Sequence, residues 1–139
     1  MRRLPLAATA VAAAAAALLF VPAAPAVAKE VKLTRKASGK TVSLARGDLL
    51  RVTLSENPST GYSWRFAKRP AKTILALRAN HFKQGPQDPN GPSVGVPGTR
   101  IFKWRALTAG TTALKIGDYP PGQGRKPASY FRLTVTVKP

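Results

Sequence analysis

The chain has 139 residues, with 23 basic side chains against five acidic ones, a formal charge of +18, and no cysteine. That length fits one domain with a single core, and the missing thiols exclude disulfide staples and a lipoprotein-type anchor. One histidine and five scattered acids leave little from which to build a metal site or a paired-carboxylate active site.

The first segment, Met1 to Ala28, reads as a secretory signal peptide. Arg2 and Arg3 form a positive start, Leu4 to Val21 an apolar stretch, and Ala26-Val27-Ala28 a cleavage site. Pro5, Pro22 and Pro25 argue against an uncleaved membrane anchor, so no stable membrane insertion is expected after cleavage. The mature domain would then be residues 29–139, 111 residues carrying about +16, and its location secreted or periplasmic. Its acids are Glu30, Asp48, Glu56, Asp88 and Asp118. Such a field attracts polyanions and acidic proteins. The basic residues are scattered, which is how solvated strand faces read. They come with no nucleic-acid-binding motif, so nucleic acid is not an expected partner.

From residue 31 onward, short runs alternate apolar and polar residues. Val31 to Leu33 and Val42 to Leu44 are read as one interrupted first strand. Leu50-Val52-Leu54, Tyr62-Trp64-Phe66, Leu75-Leu77-Ala79, Phe102-Trp104-Ala106 and Leu114-Ile116 follow. The run Phe131-Leu133-Val135-Val137 is the most regular. Period two buries one face and wets the other, the pattern of antiparallel sheet. Turn residues separate the runs at Ser38-Gly39, Arg46-Gly47-Asp48, Asn57-Pro58, Ala109-Gly110 and Pro120-Pro121-Gly122. No amphipathic helix is evident. Seven or eight short strands in this length predict an all-β, Ig-like antiparallel β-sandwich.

Three connections stand out. One is Asn57 to Gly61; the others are Lys83 to Gly98 and Gly117 to Pro127, both long and rich in Gly and Pro. They follow the second, fourth and sixth strands, and connections two strands apart leave a sandwich at the same end. All three are therefore expected to cluster there. Within the first, Pro58 fixes its own φ and biases Asn57 toward extended backbone. The Asn57 side chain can close an Asx-type turn, and Gly61 permits positive φ. Trp64 and Trp104 read as core.

The stretch N-P-S-T-G-Y-S-W, Asn57 to Trp64, resembles the N-P-T-T-G-Y/F-x-W signature of the chagasin family, secreted inhibitors of papain-like cysteine proteases. Seven of its eight positions agree and Ser59 replaces Thr. The family's Gly-rich second turn has its counterpart in Gly95-Val96-Pro97-Gly98. Where the family carries Arg-Pro-Trp, this chain reads Asp118-Tyr119-Pro120-Pro121, with the Pro but neither the Arg nor the Trp. The resemblance covers residues 31–138. It implies a monomer that blocks a protease groove with three loops and needs no cofactor. It assigns the contact to Asn57, Pro58, Ser59, Thr60, Gly61 and Tyr62; to Gly95, Val96, Pro97 and Gly98; and to Tyr119, Pro120 and Pro121. Thr60 would lie nearest the protease thiol, Tyr119 would take the exposed aromatic role, and Arg125 and Lys126 could meet acids on the partner.

Enzyme readings find little footing. His81 has no neighbouring acids, no nucleophile elbow is present, and no Gly-rich phosphate loop opens a helix. The reading that competes with inhibition is a cell-envelope binding module whose basic surface holds an anionic polymer.

Overall fold

The structure, a computed structural model, describes residues 16–19, 27–91 and 95–139; most of the predicted signal peptide lies outside them. Among the described residues, no helix is long and apolar enough to cross a membrane. Eight strands form: β1 (Glu30–Leu33), β2 (Lys40–Ala45), β3 (Leu49–Glu56), β4 (Ser63–Lys68), β5 (Leu75–Gln84), β6 (Gly98–Ala106), β7 (Gly110–Tyr119) and β8 (Ser129–Lys138). They make two four-stranded sheets, ordered β1-β3-β6-β5 and β2-β8-β7-β4.

The alternation reads directly onto the core. Leu50, Val52 and Leu54 of β3 and Phe102, Trp104 and Ala106 of β6 face Leu114 and Ile116 of β7 and Phe131, Leu133, Val135 and Val137 of β8. Phe66 packs edge-on against Phe102 and Trp104, at 5.1 and 6.0 Å between ring centroids, and these two stack on each other at 5.9 Å. Such contacts add to the area term that dominates burial of large rings. Ile101 is also buried although it lies in the outward phase, opposite Thr53 and His81.

The start of the domain departs from the expected single interrupted strand. β1 and β2 belong to different sheets and are joined by a 3-10 turn at Arg35–Ala37. Every connection reverses the chain, so strands separated by an even number of reversals run the same way. That is why β1 pairs with β3, and β2 with β8, in parallel while all other pairs are antiparallel. Periodicity reports which face is buried and carries no information about strand direction. By the same count, the connections β1–β2, β3–β4, β5–β6 and β7–β8 leave at one end.

Two of the predicted loops are shorter than expected, because the strands run on. β5 extends through Gln84 and β6 begins at Gly98, leaving residues 85–97; β7 extends through Tyr119, leaving residues 120–128. At the opposite end, the buried carboxylate of Asp48 accepts from the Ala45 and Lys29 backbone N–H groups at 2.9 and 3.1 Å, closing the β2–β3 turn onto β1.

Candidate functional site

The β3–β4 connection is built around Asn57. Its backbone is extended (φ −115°, ψ 106°), Pro58 opens a single 3-10 turn through Thr60, and Gly61 ends it at φ +75°. The Asn57 side-chain oxygen accepts from the Ser59 N–H at 3.1 Å and from the Ser59 hydroxyl at 2.8 Å. The Thr60 hydroxyl donates to the Asn57 carbonyl at 2.7 Å. Both tip hydroxyls are thus spent on the loop itself, and the turn is ordered before any partner arrives. Gly61 is required twice over: its backbone is left-handed, and an added Cβ would lie 3.0 Å from Cβ of Pro121.

That second fact also places the β7–β8 connection against the first. The β5–β6 connection reaches it from the other side, since a Cβ on Gly95 would stand 3.1 Å from the Ser59 hydroxyl oxygen. The three predicted loops therefore meet at one end, with Asn57 to Gly61 in the middle. Tyr62 follows the turn, 38% exposed, and Val96, Pro97, Pro120 and Pro121 lie in the flanking connections.

Two predicted contact residues belong to strand ends at the bases of these connections. Gly98 is the first residue of β6, paired with Glu56 on one side and Gln84 on the other. A Cβ there would overlap the Phe82 ring, at 2.5 Å, so this glycine serves close packing at the loop base. Tyr119 is the last residue of β7, paired with Ser63. Its ring lies against Gly117 on the sheet face with the Arg65 guanidinium 4.5 Å over it, so it does not project from a loop tip.

Beneath the loops is a charged cluster that strand-by-strand reading missed. Glu56 occupies the inward phase of β3, after Leu50, Val52 and Leu54, and is 7% exposed. Its carboxylate accepts from the Trp64 N–H at 2.9 Å, and from Arg100 Nε and Nη2 at 3.2 and 2.7 Å. One side chain thereby ties the strand entering the loop, the strand leaving it, and β6. The Trp64 indole N–H donates to the Ser55 carbonyl at 2.8 Å, and Arg35 lies 5.2 Å over its ring. Arg100 is likewise in the inward phase of its strand, with Phe102 and Trp104. A charge in an apolar phase on two strands is the signal that could have revealed the pair, because a buried carboxylate needs a partner.

Asp118 opposes Trp64 in β7 at the same mouth. Burial pushes its carboxyl above the ordinary value of 3.8; the Arg35 charge pulls the other way, and Glu56 pushes it up further. Among the described residues, no group of acids and histidine could hold a metal ion.

Two outcomes are expected. Glu56→Ala leaves the Trp64 N–H without its acceptor and Arg100 without its counter-charge, and should cost about 3 kcal/mol in urea unfolding. Glu56→Gln, which keeps an acceptor, should lose less. Asp118 binds its proton more tightly folded than unfolded, so its ionised form weakens the fold above the folded pKa, and the penalty fades as pH falls toward 3.8. Asp118→Asn should therefore melt higher than the parent at pH near 7 and at the same temperature near pH 3; equal melting at both would contradict this.

Residues 43–137 match the family described as chagasin family peptidase inhibitor I42. Among curated proteins, the chain is 33% identical to amoebiasin-2 of Entamoeba histolytica over 107 residues, spanning 76% of this chain and 84% of that protein. It is 29% identical to chagasin of Trypanosoma cruzi over 111 residues, spanning 77% and 96%. Among solved structures, the cysteine protease inhibitor EhICP2 from Entamoeba histolytica superposes with a TM-score of 0.69 at 29% identity, covering 81% of this chain and 98% of that one. PbICP-C, solved in complex with falcipain-2, shares the fold at 19% identity and a TM-score of 0.56, covering 79% and 99%. With the signature turn, the eight-stranded sandwich and the family match agreeing over most of its length, this chain belongs to the chagasin family of peptidase inhibitors, not to a family of enzymes.

Proposed function

We propose that the protein inhibits papain-like cysteine proteases as a monomer, by lodging the Asn57–Gly61 turn in the active-site groove while the 95–97 and 120–121 segments embrace the walls. The observation that carries this reading is the pre-ordered turn at the centre of three converging connections. Family membership agrees with it, as do the cysteine protease inhibitor EhICP2 and the complex of PbICP-C with falcipain-2. The thiolate at the centre of such a groove, with its imidazole partner, attacks a carbonyl that is presented to it in extended, well-aligned register. A turn held by Asn57 on both sides presents none in extended register, so it fills the groove without being cut. Its ordering entropy is lost during folding, and the contact keeps that free energy. Protease–inhibitor contacts typically bury about 1,600 Å² in total, which three loops would share.

The test is a titration of papain. The parent protein should inhibit. Thr60→Arg should raise the inhibition constant at least about 100-fold, near 2.7 kcal/mol, with a melting temperature only slightly lowered by loss of the exposed hydroxyl bond to Asn57. Inhibition unaltered by Thr60→Arg would remove the turn from the groove.

We further propose that the protein is exported and trimmed after Ala28. The Lys29 backbone nitrogen already donates to Asp48 at 3.1 Å, and cleavage there would turn it into an ammonium facing a buried carboxylate. Intact mass of the protein recovered from periplasm or medium should begin at Lys29. A mass that retains Met1 would overturn the trimming.

A further inference from the structure

The function above leaves most of the positive charge unused. All five acids are accounted for away from one face of the molecule. Glu30 pairs with Arg51 and Lys103 on the β1-β3-β6-β5 sheet, Glu56 and Asp118 stand inside the loop-bearing mouth, Asp48 closes the β2–β3 turn, and Asp88 lies in the β5–β6 connection. The outer face of the β2-β8-β7-β4 sheet carries none.

Across that face runs a row of cations in direct register. Lys68 of β4 is opposite Lys115 of β7, and Lys115 is opposite Arg132 of β8. Neighbouring strands are about 4.8 Å apart, so the row spans about 10 Å. A β-bulge creates it. The register shifts between Phe66 and Lys68, so Phe66 stays inward opposite Ile116 while Lys68 turns outward beside Lys115. Like charges directly opposite one another destabilise a sheet, and no member of the row has a salt bridge among the described residues. Lys115 and Arg132 both lie over the ring of Tyr130, at 5.0 and 5.1 Å, which holds their heads in place. Two residues further along, the face changes character: Thr134 is paired with Thr41, and Thr136 with Ser43 and Thr111, giving a field of hydroxyls beside the charges.

We propose that this face is a docking surface for a linear anionic polysaccharide. Its sulfate or carboxylate groups would meet the Lys68-Lys115-Arg132 row, and its sugar hydroxyls the neighbouring threonines. Nucleic acid fits less well, because the Tyr130 ring that bases would stack on is already covered by cations. A membrane fits less well, because Tyr130 is the one large apolar side chain exposed on this face among the described residues. The face lies along the flank of the sandwich, so a bound polymer leaves the loop end free.

Isothermal titration of the purified protein with heparin, a sulfated linear polysaccharide, at several salt concentrations tests this. The triple variant Lys68→Gln, Lys115→Gln, Arg132→Gln should lose at least about tenfold in affinity, with a slope of log Kd against log salt shallower by roughly two to three, about one per cation removed. It should melt no lower than the parent and inhibit papain equally. A control, Lys32→Gln, Arg78→Gln, Lys83→Gln, removes the same charge from exposed positions on the other sheet, and should lose less than about twofold. Equal losses in the two variants would overturn the proposal in favour of diffuse net charge. Tighter binding of duplex DNA or phosphatidylglycerol vesicles than of heparin, lost in the same triple, would overturn the polysaccharide as occupant.

Discussion

The carboxylate of Glu56 is the contact on which the loop end depends. It is nearly buried, and its three donors come from two other strands: the Trp64 N–H from β4 and the Arg100 guanidinium from β6. A buried charge is tolerated only when its hydrogen-bonding capacity is taken up. Here that requirement converts directly into geometry. The two ends of the Asn57–Gly61 turn cannot separate without stripping the carboxylate of a donor. The turn above has its own bonds, and the pair below fixes where the turn stands relative to the sheets.

The same economy extends to the tip. Asn57, Ser59 and Thr60 satisfy one another, Gly61 lets the chain leave the turn, and Pro121 packs where a side chain on Gly61 would have been. A loop stabilised from within and propped by its neighbours meets a partner as a formed surface. In a family of peptidase inhibitors, that is the physical content of a wedge: few degrees of freedom remain to be frozen on contact.

The charge is organised as well as abundant. With Asp48 in a turn, Glu56 and Asp118 in the mouth, Asp88 in a loop and Glu30 paired with Arg51 and Lys103, one sheet face is left without an acid. A bulge in β4 adds a third cation to a row that already repels itself. The loop end and the basic flank share β4 and β7 but use different side chains of them, Trp64 and Asp118 for the one and Lys68 and Lys115 for the other.

Much was legible in the residues alone. Alternation identified the buried faces of β3, β6, β7 and β8; N-P-S-T-G encoded its own turn, down to the Asx bond and the positive φ at Gly61; and the same stretch carried the family resemblance. These are short-range matters, settled by φ/ψ preferences and a two-residue period. What depended on the tertiary structure was pairing over distance. Period two could not tell that β1 and β2 join opposite sheets, nor that Tyr119 and Gly98 belong to strands while Pro121 and Gly95 reach the turn. Glu56 and Arg100, 44 residues apart, and the cations of β4, β7 and β8 become neighbours only through register. Register is a property of two strands together, and no single segment contains it.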